Sequence, residues 1–203
     1  MISTVQKSQK ETDRQSAVNT INSEIKTLEE LKKSLDADSL SAALDLMQNA
    51  KGRIIITGMG KSGHIGRKIA ASLASTGTPS FFVHPAEASH GDLGMITEDD
   101  IVIAISNSGE SRELIDILNY CKRFGITIIA ITKNAESSLG KAGDVVLSLP
   151  DNGEACPLGL APTSSTTATL VLGDILGIKI GDAALTAEYH LAYSRPCANA
   201  TQV

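Results

Sequence analysis

The sequence contains no tryptophan and only three phenylalanines and three tyrosines among its 203 residues, so its core must be built from aliphatic side chains. It also lacks a run of about 20 apolar residues, which a membrane-spanning helix would need. The first fourteen residues are polar and hold no apolar segment like that of a signal peptide. We therefore expect a cytoplasmic protein without a membrane partner.

Charge and cysteine content exclude further classes of protein. The 18 basic and 23 acidic residues give a net charge of −5 without any basic run, which argues against nucleic acid as a partner. The three cysteines, Cys121, Cys156 and Cys197, form no CxxC pair, which argues against a disulfide framework or a structural zinc site. Cys156 precedes a proline without any pattern of a catalytic triad, so we interpret it as a buried small thiol.

Residues 1–50 have the pattern of two helices. The first carries apolar residues at steps of three and four, and these are Val18, Ile21, Ile25, Leu28, Leu31 and Leu35. This stripe packs either on the core of its own chain or on another subunit, and the pattern favours neither. The second helix is predicted from about Ser39 to Asn49, with Asp38 or Ser39 as its cap.

From Gly52 onward, short apolar runs alternate with helical stretches. The runs are continuous, as strands buried on both faces are, and they are Ile54–Thr57, Ser80–Val83, Ile101–Ile105, Ile126–Ile131 and Val145–Leu149. The predicted helices are Ser62–Ser75, Ser111–Phe124, Ser137–Lys141, Thr163–Ile178 and Asp182–Tyr193. The alternation predicts an α/β fold with a five-stranded parallel sheet flanked by helices. We expect one domain over residues 51–195, a helical extension over 1–50 packed on it, and a frayed tail over 196–203.

In such a sheet, ligands bind beyond the carboxyl ends of the strands, where helix N-termini point. The first strand is followed by residues 58–63, GMGKSG, which match the pattern GxGxxG. No acidic residue ends the second strand to bind a ribose, so a dinucleotide site is not indicated and we expect no cofactor. The glycine turn instead places the cation of Lys61 at the start of a helix.

The third strand is followed by three serines within six residues, Ser106, Ser108 and Ser111, with Asn107 among them. Their hydroxyls and free backbone N–H groups can surround a phosphate at a helix N-terminus. The alternative is an ordinary N-cap by Ser108 or Ser111. Because one helix does not need three serines, we favour phosphate. Glu113 follows in the first helical turn.

The fifth strand is followed by Glu154 and then by a hydroxyl cluster that opens a helix. This cluster is a second candidate anion site, and it comprises Thr163, Ser164, Ser165, Thr166 and Thr167.

The histidines and their neighbours suggest no metal site. His84, His90 and Asp92 follow the second strand, but nothing in their spacing fixes a coordination geometry, so we predict no metal. We expect satisfied structural roles for His64, His84 and His190, whereas the role of His90 is left open.

Four segments together resemble the sugar isomerase (SIS) domain family. They are residues 58–66 (GMGKSGHIG), 84–94 (HPAEASHGDLG), 106–111 (SNSGES) and 154–163 (EACPLGLAPT). Within that family they are similar to isomerases that interconvert D-ribulose 5-phosphate and D-arabinose 5-phosphate, the entry to Kdo for lipopolysaccharide or capsule. The resemblance implies a flavodoxin-like five-stranded parallel sheet, no cofactor or metal, a sugar phosphate as ligand, and a homo-oligomer with sites shared between subunits.

The same resemblance implies roles for individual residues. Catalysis would fall to Lys61, Glu113, Glu154 and His90, with His90 supplied by a neighbouring subunit. Substrate and phosphate binding would fall to Gly60, Ser62, Ser106, Asn107, Ser108, Ser111, Thr163, Ser164 and Thr166. An aldose–ketose isomerase needs a carboxylate base for the proton beside the carbonyl and a donor for the enediol oxygen. We favour Glu154 over Glu113 as that base.

Two features depart from the family pattern. The family usually continues into a pair of CBS domains, whereas this sequence ends at Val203, which implies a stand-alone form. Arg195 stands where the family carries a histidine near its active site, and arginine stays protonated and cannot act as a neutral base. These departures leave a second hypothesis open, a regulatory SIS protein that binds a phosphosugar without catalysis.

Overall fold

The computed structural model describes the backbone of residues 2–184 and the side chains of residues 9–181. Its sheet has five parallel strands in the order β2-β1-β3-β4-β5. The strands are β1 (Ile54–Gly58), β2 (Ser80–Val83), β3 (Ile101–Ile105), β4 (Thr127–Thr132) and β5 (Val145–Ser148). The predicted five-stranded parallel sheet is confirmed, and each predicted strand differs from the observed one by at most one residue at either end.

Helices cover both faces of the sheet. They are α1 (Ile2–Ser34), α2 (Ala37–Gln48), α3 (Gly60–Ser75), α4 (Pro85–Ser89), α5 (Ile115–Phe124), α6 (Ser138–Ala142) and α7 (Ser164–Ala184). Short 3₁₀ turns span Asp92–Met95 and Arg112–Leu114. No helix in the described part of the chain is both long and apolar enough to cross a bilayer.

The core consists of two aliphatic layers separated by the sheet. Side chains alternate along each strand, so Ile54 and Ile56 pack with α2, α3 and α7 on one face, whereas Ile55 packs with α5 and α6 on the other. All three isoleucines are at most 1% exposed. Burial on both faces is why the central strands β1, β3 and β4 are continuous apolar runs rather than alternating ones.

The apolar stripe of α1 divides into two parts. Leu31 is only 2% exposed and packs in the core layer that holds α2 and α7, with Leu28 partly buried beside it. By contrast, Val18, Ile21 and Ile25 are 37%, 57% and 48% exposed. The last turns of α1 thus pack on the chain's own core, while the middle of the helix leaves an apolar face open to solvent.

The structure corrects several predicted helix boundaries. Asp36 caps α2, not Asp38 or Ser39, because its carboxylate accepts a hydrogen bond of 2.8 Å from the backbone N–H of Ser39. The sequence suggested that one helix ends at Ile178 and another begins at Asp182, but α7 runs through both residues without a break.

Two further comparisons with the predicted elements concern α4 and the C-terminal residues. Helix α4 was not predicted, since it has only five residues and no apolar periodicity. The predicted helix beyond Ala184, together with His190, Arg195, Cys197 and the tail, lies outside the described residues.

Candidate functional site

The polar segments singled out in the sequence lie at one edge of the sheet. Because all five strands are parallel, the residues that follow them meet at the carboxyl edge. Lys61 follows β1, His90 follows β2 and α4, the serine loop of residues 106–111 follows β3, and Glu154 follows β5. The fold therefore assembles the predicted site residues at the edge where open α/β sheets bind ligands.

The turn from β1 into α3 leaves the start of that helix without a side-chain cap. Met59 occupies the N-cap position and makes no capping hydrogen bond. Gly60 has φ of +59°, and Gly63 lies so close to β1 that a Cβ there would meet the carbonyl of Gly58. The free N–H groups at the start of α3 and the exposed ammonium of Lys61 therefore create a region of positive electrostatic potential at the carboxyl edge.

The serine loop is built by its own hydrogen bonds. The hydroxyls of Ser106 and Ser111 lie 2.8 Å apart, and Ser106 Oγ also accepts a 3.1 Å hydrogen bond from Gly109 N–H. Ser108 Oγ accepts a hydrogen bond from the N–H of Glu110 within the loop. Ser111 occupies the N-cap position of the following 3₁₀ turn, but its hydroxyl makes no capping hydrogen bond, and the N-cap of α5 is Leu114. The serines therefore do not act as an ordinary side-chain cap of this helix.

Helix α6 holds the serine loop in place. Glu110 accepts hydrogen bonds of 2.9 and 2.7 Å from the backbone N–H and the hydroxyl of Ser138, and the carbonyl of Gly109 accepts one from Leu139 N–H. Gly109 has φ of +73°, and a Cβ at this position would collide with the side chain of Ser137. The loop is therefore anchored on one side, while Ser108 is exposed on the other.

Glu154 is hydrogen-bonded at both carboxylate oxygens to the start of α7. Its Oε2 accepts bonds from Thr163 N–H at 2.7 Å, Thr163 Oγ1 at 3.1 Å and Ser165 N–H at 3.2 Å, and its Oε1 accepts a short bond from Ser165 Oγ. Burial alone would raise the pKa of this carboxyl, but the bonds from Ser165 and Thr163 outweigh it and lower the pKa. Glu154 is consequently ionised at neutral pH.

The hydroxyl cluster at the start of α7 is engaged within the protein. Thr163 and Ser165 bind Glu154, Thr166 Oγ1 donates to the carbonyl of Thr163, and Ser164 Oγ lies 3.4 Å from the hydroxyl of Ser23 on α1. This N-terminus does bind an anion, as its chemistry predicts, but in this structure the anion is the carboxylate of Glu154.

A cleft of about 260 Å³ lies between the serine loop and Glu154. It is lined by Asn107, Lys133, Pro150, Asp151, Gly153, Glu154, Gly159 and Ser165. Cavities for drug-sized ligands begin near 300 Å³, so this one suits a small metabolite. The amide oxygen of Asn107 is buried without a hydrogen-bond partner among the described residues.

The cleft unites only part of the predicted site. Asn107 and Glu154 line it together, whereas Lys61, Glu113 and His90 are exposed and are not among its described lining residues. The serine loop reaches the cleft through Asn107, and the other predicted binding residues are not in the lining: Gly60, Ser62, Ser106, Ser108, Ser111, Thr163, Ser164 and Thr166.

Sequence reasoning missed two charged residues in the lining, Lys133 and Asp151. Lys133 directly follows β4, and Asp151 lies between β5 and Glu154, so a full inspection of the fourth and fifth strand exits would have found both.

The histidines and Cys156 differ from their predicted roles. His64 is exposed, so it is not a core histidine. His84 packs edge-on against Phe82, and its buried Nδ1 has no hydrogen-bond partner in the described structure, so it is not a satisfied one.

Cys156 is only partly buried, and nearby backbone N–H groups, that of Ala161 foremost, lower its pKa. Within the described residues, no group of His, Cys, Asp and Glu is arranged to hold a metal ion.

The sequence was compared with known families and curated proteins. The model of the SIS domain matches residues 46–179. The arabinose 5-phosphate isomerase KdsD of Francisella tularensis is 56% identical over 89% of this chain and 56% of its own length. The protein of the same name from Pseudomonas aeruginosa is 59% identical over 78% of this chain and 49% of its own. This chain thus spans about half the length of these curated relatives.

A solved structure gives a comparison over nearly the full length of both chains. The Escherichia coli CFT073 protein c3406, in complex with arabinose 5-phosphate, superimposes with a TM-score of 0.83 at 40% identity. The match covers 90% of this chain and 98% of the other. From the parallel sheet with its anchored serine loop, the matching model and these relatives, it follows that the chain belongs to the SIS domain family.

Proposed function

We propose that the protein interconverts D-ribulose 5-phosphate and D-arabinose 5-phosphate through an enediol, and so supplies Kdo synthesis. The cleft that places Glu154 next to the serine loop is the observation that carries this proposal. A sugar phosphate with its reacting carbons in this cleft, at the carboxylate of Glu154, would extend its phosphate past Asn107 to the serines beside it. The names of the relatives from Francisella and Pseudomonas, and the arabinose 5-phosphate bound in the solved neighbour, support this choice of substrate.

The phosphate would be held at two helix N-termini that lack side-chain caps. The 3₁₀ turn before α5 and helix α3, with Gly60 and Ser62, both begin without a side-chain cap, so the first N–H groups of that turn and of α3 can donate to the phosphate. Ser108 and Ser111 would add hydroxyl donors, and the exposed ammonium of Lys61 would balance phosphate or enediolate charge.

Glu154 is our proposed general base because it is the catalytic candidate that lines the cleft. Its lowered pKa keeps it in the ionised form that accepts a proton, but it also weakens the carboxylate as a base. Release of the hydrogen bond from Ser165 would restore basicity. Glu113 is exposed in the 3₁₀ turn before α5, and it is the alternative base if Glu154 acts only as the cap of α7.

We propose that the active site is shared within a homo-oligomer. Val18, Ile21 and Ile25 leave an apolar face on α1 that a second copy can cover. His90 is exposed after α4, and its imidazole would open the sugar ring of a substrate bound to a neighbour. Because sugar phosphates are charged and do not cross a bilayer unaided, we place this reaction in the cytoplasm.

The deciding experiment is an isomerisation assay. The purified chain is incubated with ribulose 5-phosphate and the formation of arabinose 5-phosphate is followed, with and without a chelator. We expect turnover that is insensitive to chelation. Activity that disappears with the chelator and returns with a divalent cation would contradict the proposed mechanism. Binding of arabinose 5-phosphate without any turnover would support the regulatory alternative instead.

A further inference from the structure

Lys133 and Asp151 form an ion pair in the wall of the cleft. The ammonium of Lys133 lies 2.8 Å from Oδ1 of Asp151, which joins the residue after β4 to the segment after β5. Both residues line the cleft together with Glu154. The backbone N–H of Lys133 donates to the carbonyl of Asn107, which fixes the start of this side chain against the serine loop.

The charges of the cleft make this lysine distinctive. Asp151 and Glu154 contribute two carboxylates, and Lys133 contributes the single cation among the described lining residues. Glu154 is already bound by the start of α7 through four hydrogen bonds, so it does not engage Lys133. A ligand that carries a phosphate would meet two negative charges here, and the ammonium of Lys133 is what offsets them.

The ion pair is easily exchanged. The side chain of Asp151 is 66% exposed and that of Lys133 is 32% exposed, and ion pairs with such exposure contribute little to the stability of a fold. An ammonium group has three N–H donors, and Asp151 takes one of them. Lys133 can therefore bind a ligand oxygen with the remaining donors or by releasing Asp151, at little cost to the fold.

We propose that Lys133 is a ligand-binding residue of this site, held ready in the cleft by Asp151, and that it donates to oxygen atoms of the bound sugar phosphate. This inference rests on the proposed function, since it takes the same cleft as the substrate site. It adds to the serine loop a cation from the neighbouring strand exit, at the position where the sugar carbons would extend toward Glu154.

The test measures binding of arabinose 5-phosphate by calorimetry to four proteins. These are the wild type and the variants Lys133→Met, Asp151→Asn and Lys122→Met. Lys122 is a matched control, because it forms a similar exposed ion pair with Asp144, 3.2 Å away, outside the lining of the cleft. Thermal unfolding of each variant verifies that it is folded.

We expect Lys133→Met to weaken binding about tenfold to a hundredfold, as the loss of a hydrogen bond from a charged donor does. Asp151→Asn should strengthen binding several-fold, because it frees Lys133 and removes a negative charge. Lys122→Met should bind like the wild type. If the ion pair is merely structural, Lys133→Met and Asp151→Asn would either weaken binding alike or both bind like Lys122→Met. Either outcome overturns the inference.

The two proposals fail in distinguishable ways. If the wild type binds arabinose 5-phosphate and Lys133→Met binds it equally well, the inference about Lys133 is wrong while the proposed function stands. If the wild type binds no arabinose 5-phosphate, the proposed function is wrong and the inference falls with it.

Discussion

The carboxylate of Glu154 accepts a hydrogen bond of 2.7 Å from the backbone N–H of Thr163, nine residues later in the chain. The hydroxyl of Thr163 in turn accepts a hydrogen bond from the N–H of Ala155. Together these two bonds close residues 155–163 into a loop. A residue that resemblance assigns to catalysis therefore also fixes where α7 begins. Its two roles can be separated by mutation.

Glu154→Gln should lower turnover by about 10²- to 10⁴-fold if Glu154 is the base, because an amide keeps the shape but cannot take a proton. Ser165→Ala is the matched control, since it removes a hydrogen bond to Glu154 but leaves the carboxylate. It should raise the pKa of Glu154 and move the acidic limb of the pH–rate profile upward. Glu154→Gln activity within a few-fold of the wild type would transfer the role of base to Glu113.

Ser111→Ala should weaken binding of inorganic phosphate and of arabinose 5-phosphate together. A hydrogen bond to a charged acceptor contributes about 1.5–3 kcal/mol, which corresponds to roughly a tenfold to hundredfold change in Kd. Ser75→Ala serves as the control, because its hydroxyl donates to the carbonyl of Ser72 at the end of α3, away from the serine loop. Equal competition by phosphate in both variants and the wild type would place the phosphate site elsewhere.

Subunit sharing predicts complementation between inactive variants. Lys61→Ala and His90→Ala proteins are unfolded, mixed and refolded. Part of the activity should return, because some pockets in mixed oligomers receive both wild-type groups. Lys61→Ala mixed with Glu154→Gln is the control, since these two groups would come from one chain and no mixed pocket holds both. Recovery in neither mixture would make His90 a residue of its own subunit's site.

Stability at low pH should depend on Asp100, whose side chain is fully buried against Arg53 and Thr97. Burial raises its pKa, but hydrogen bonds from Arg53 and Thr97 outweigh this and lower the pKa to about 2. A lowered pKa stabilises the fold above the ordinary value near 4, and this contribution is lost as pH falls from about 4 to about 2.

Asp100→Asn should lower the free energy of unfolding at neutral pH by about 2 kcal/mol and flatten the acid dependence of Tm over this range. Thermal unfolding by circular dichroism at several pH values measures both effects. Asp116→Asn, at an exposed position of α5, is the comparison variant. If Asp100→Asn and the wild type lose the same Tm between pH 4 and pH 2, Asp100 does not control acid stability.

The two cysteines in the described part of the chain should react differently with iodoacetamide. Cys121 is fully buried, and burial raises its pKa to about 12. Cys156 is partly exposed, and backbone N–H groups of its loop lower its pKa. Mass spectrometry at neutral pH should therefore find Cys156 labelled in the native protein and Cys121 labelled only after unfolding. Early labelling of Cys121 would contradict the packing around α5.

The sheet was predictable because burial on both faces of its central strands, β1, β3 and β4, leaves continuous aliphatic runs in the sequence. The errors lie where local signals compete. The stretch between Ile178 and Asp182 contains a glycine and a charged residue, which suggested a boundary, but α7 continues because it packs along α3 and Gly181 lies against Thr76. Asp36 caps α2 although Asp38 and Ser39 have equally suitable side chains, so residue type alone cannot choose among them.

The site was only partly predictable for a related reason. Strand exits identify which residues reach the carboxyl edge, and two residues selected in this way, Asn107 and Glu154, line the same cleft there. The pairing of Glu154 with Thr163 and Ser165, and of Lys133 with Asp151, depends on how two loops fold against each other. No spacing along the sequence encodes those distances.

Position 109 of the serine loop should accept almost no residue other than glycine. Its left-handed backbone and its contact with Ser137 mean that any side chain must push the loop away from α6. Such a change would move Ser106 and Ser108 and would also disturb the hydrogen bonds between Glu110 and Ser138. In a library of random variants, this position should tolerate fewer replacements than the exposed Ser108 beside it, although glycine itself contributes no chemical group to the site.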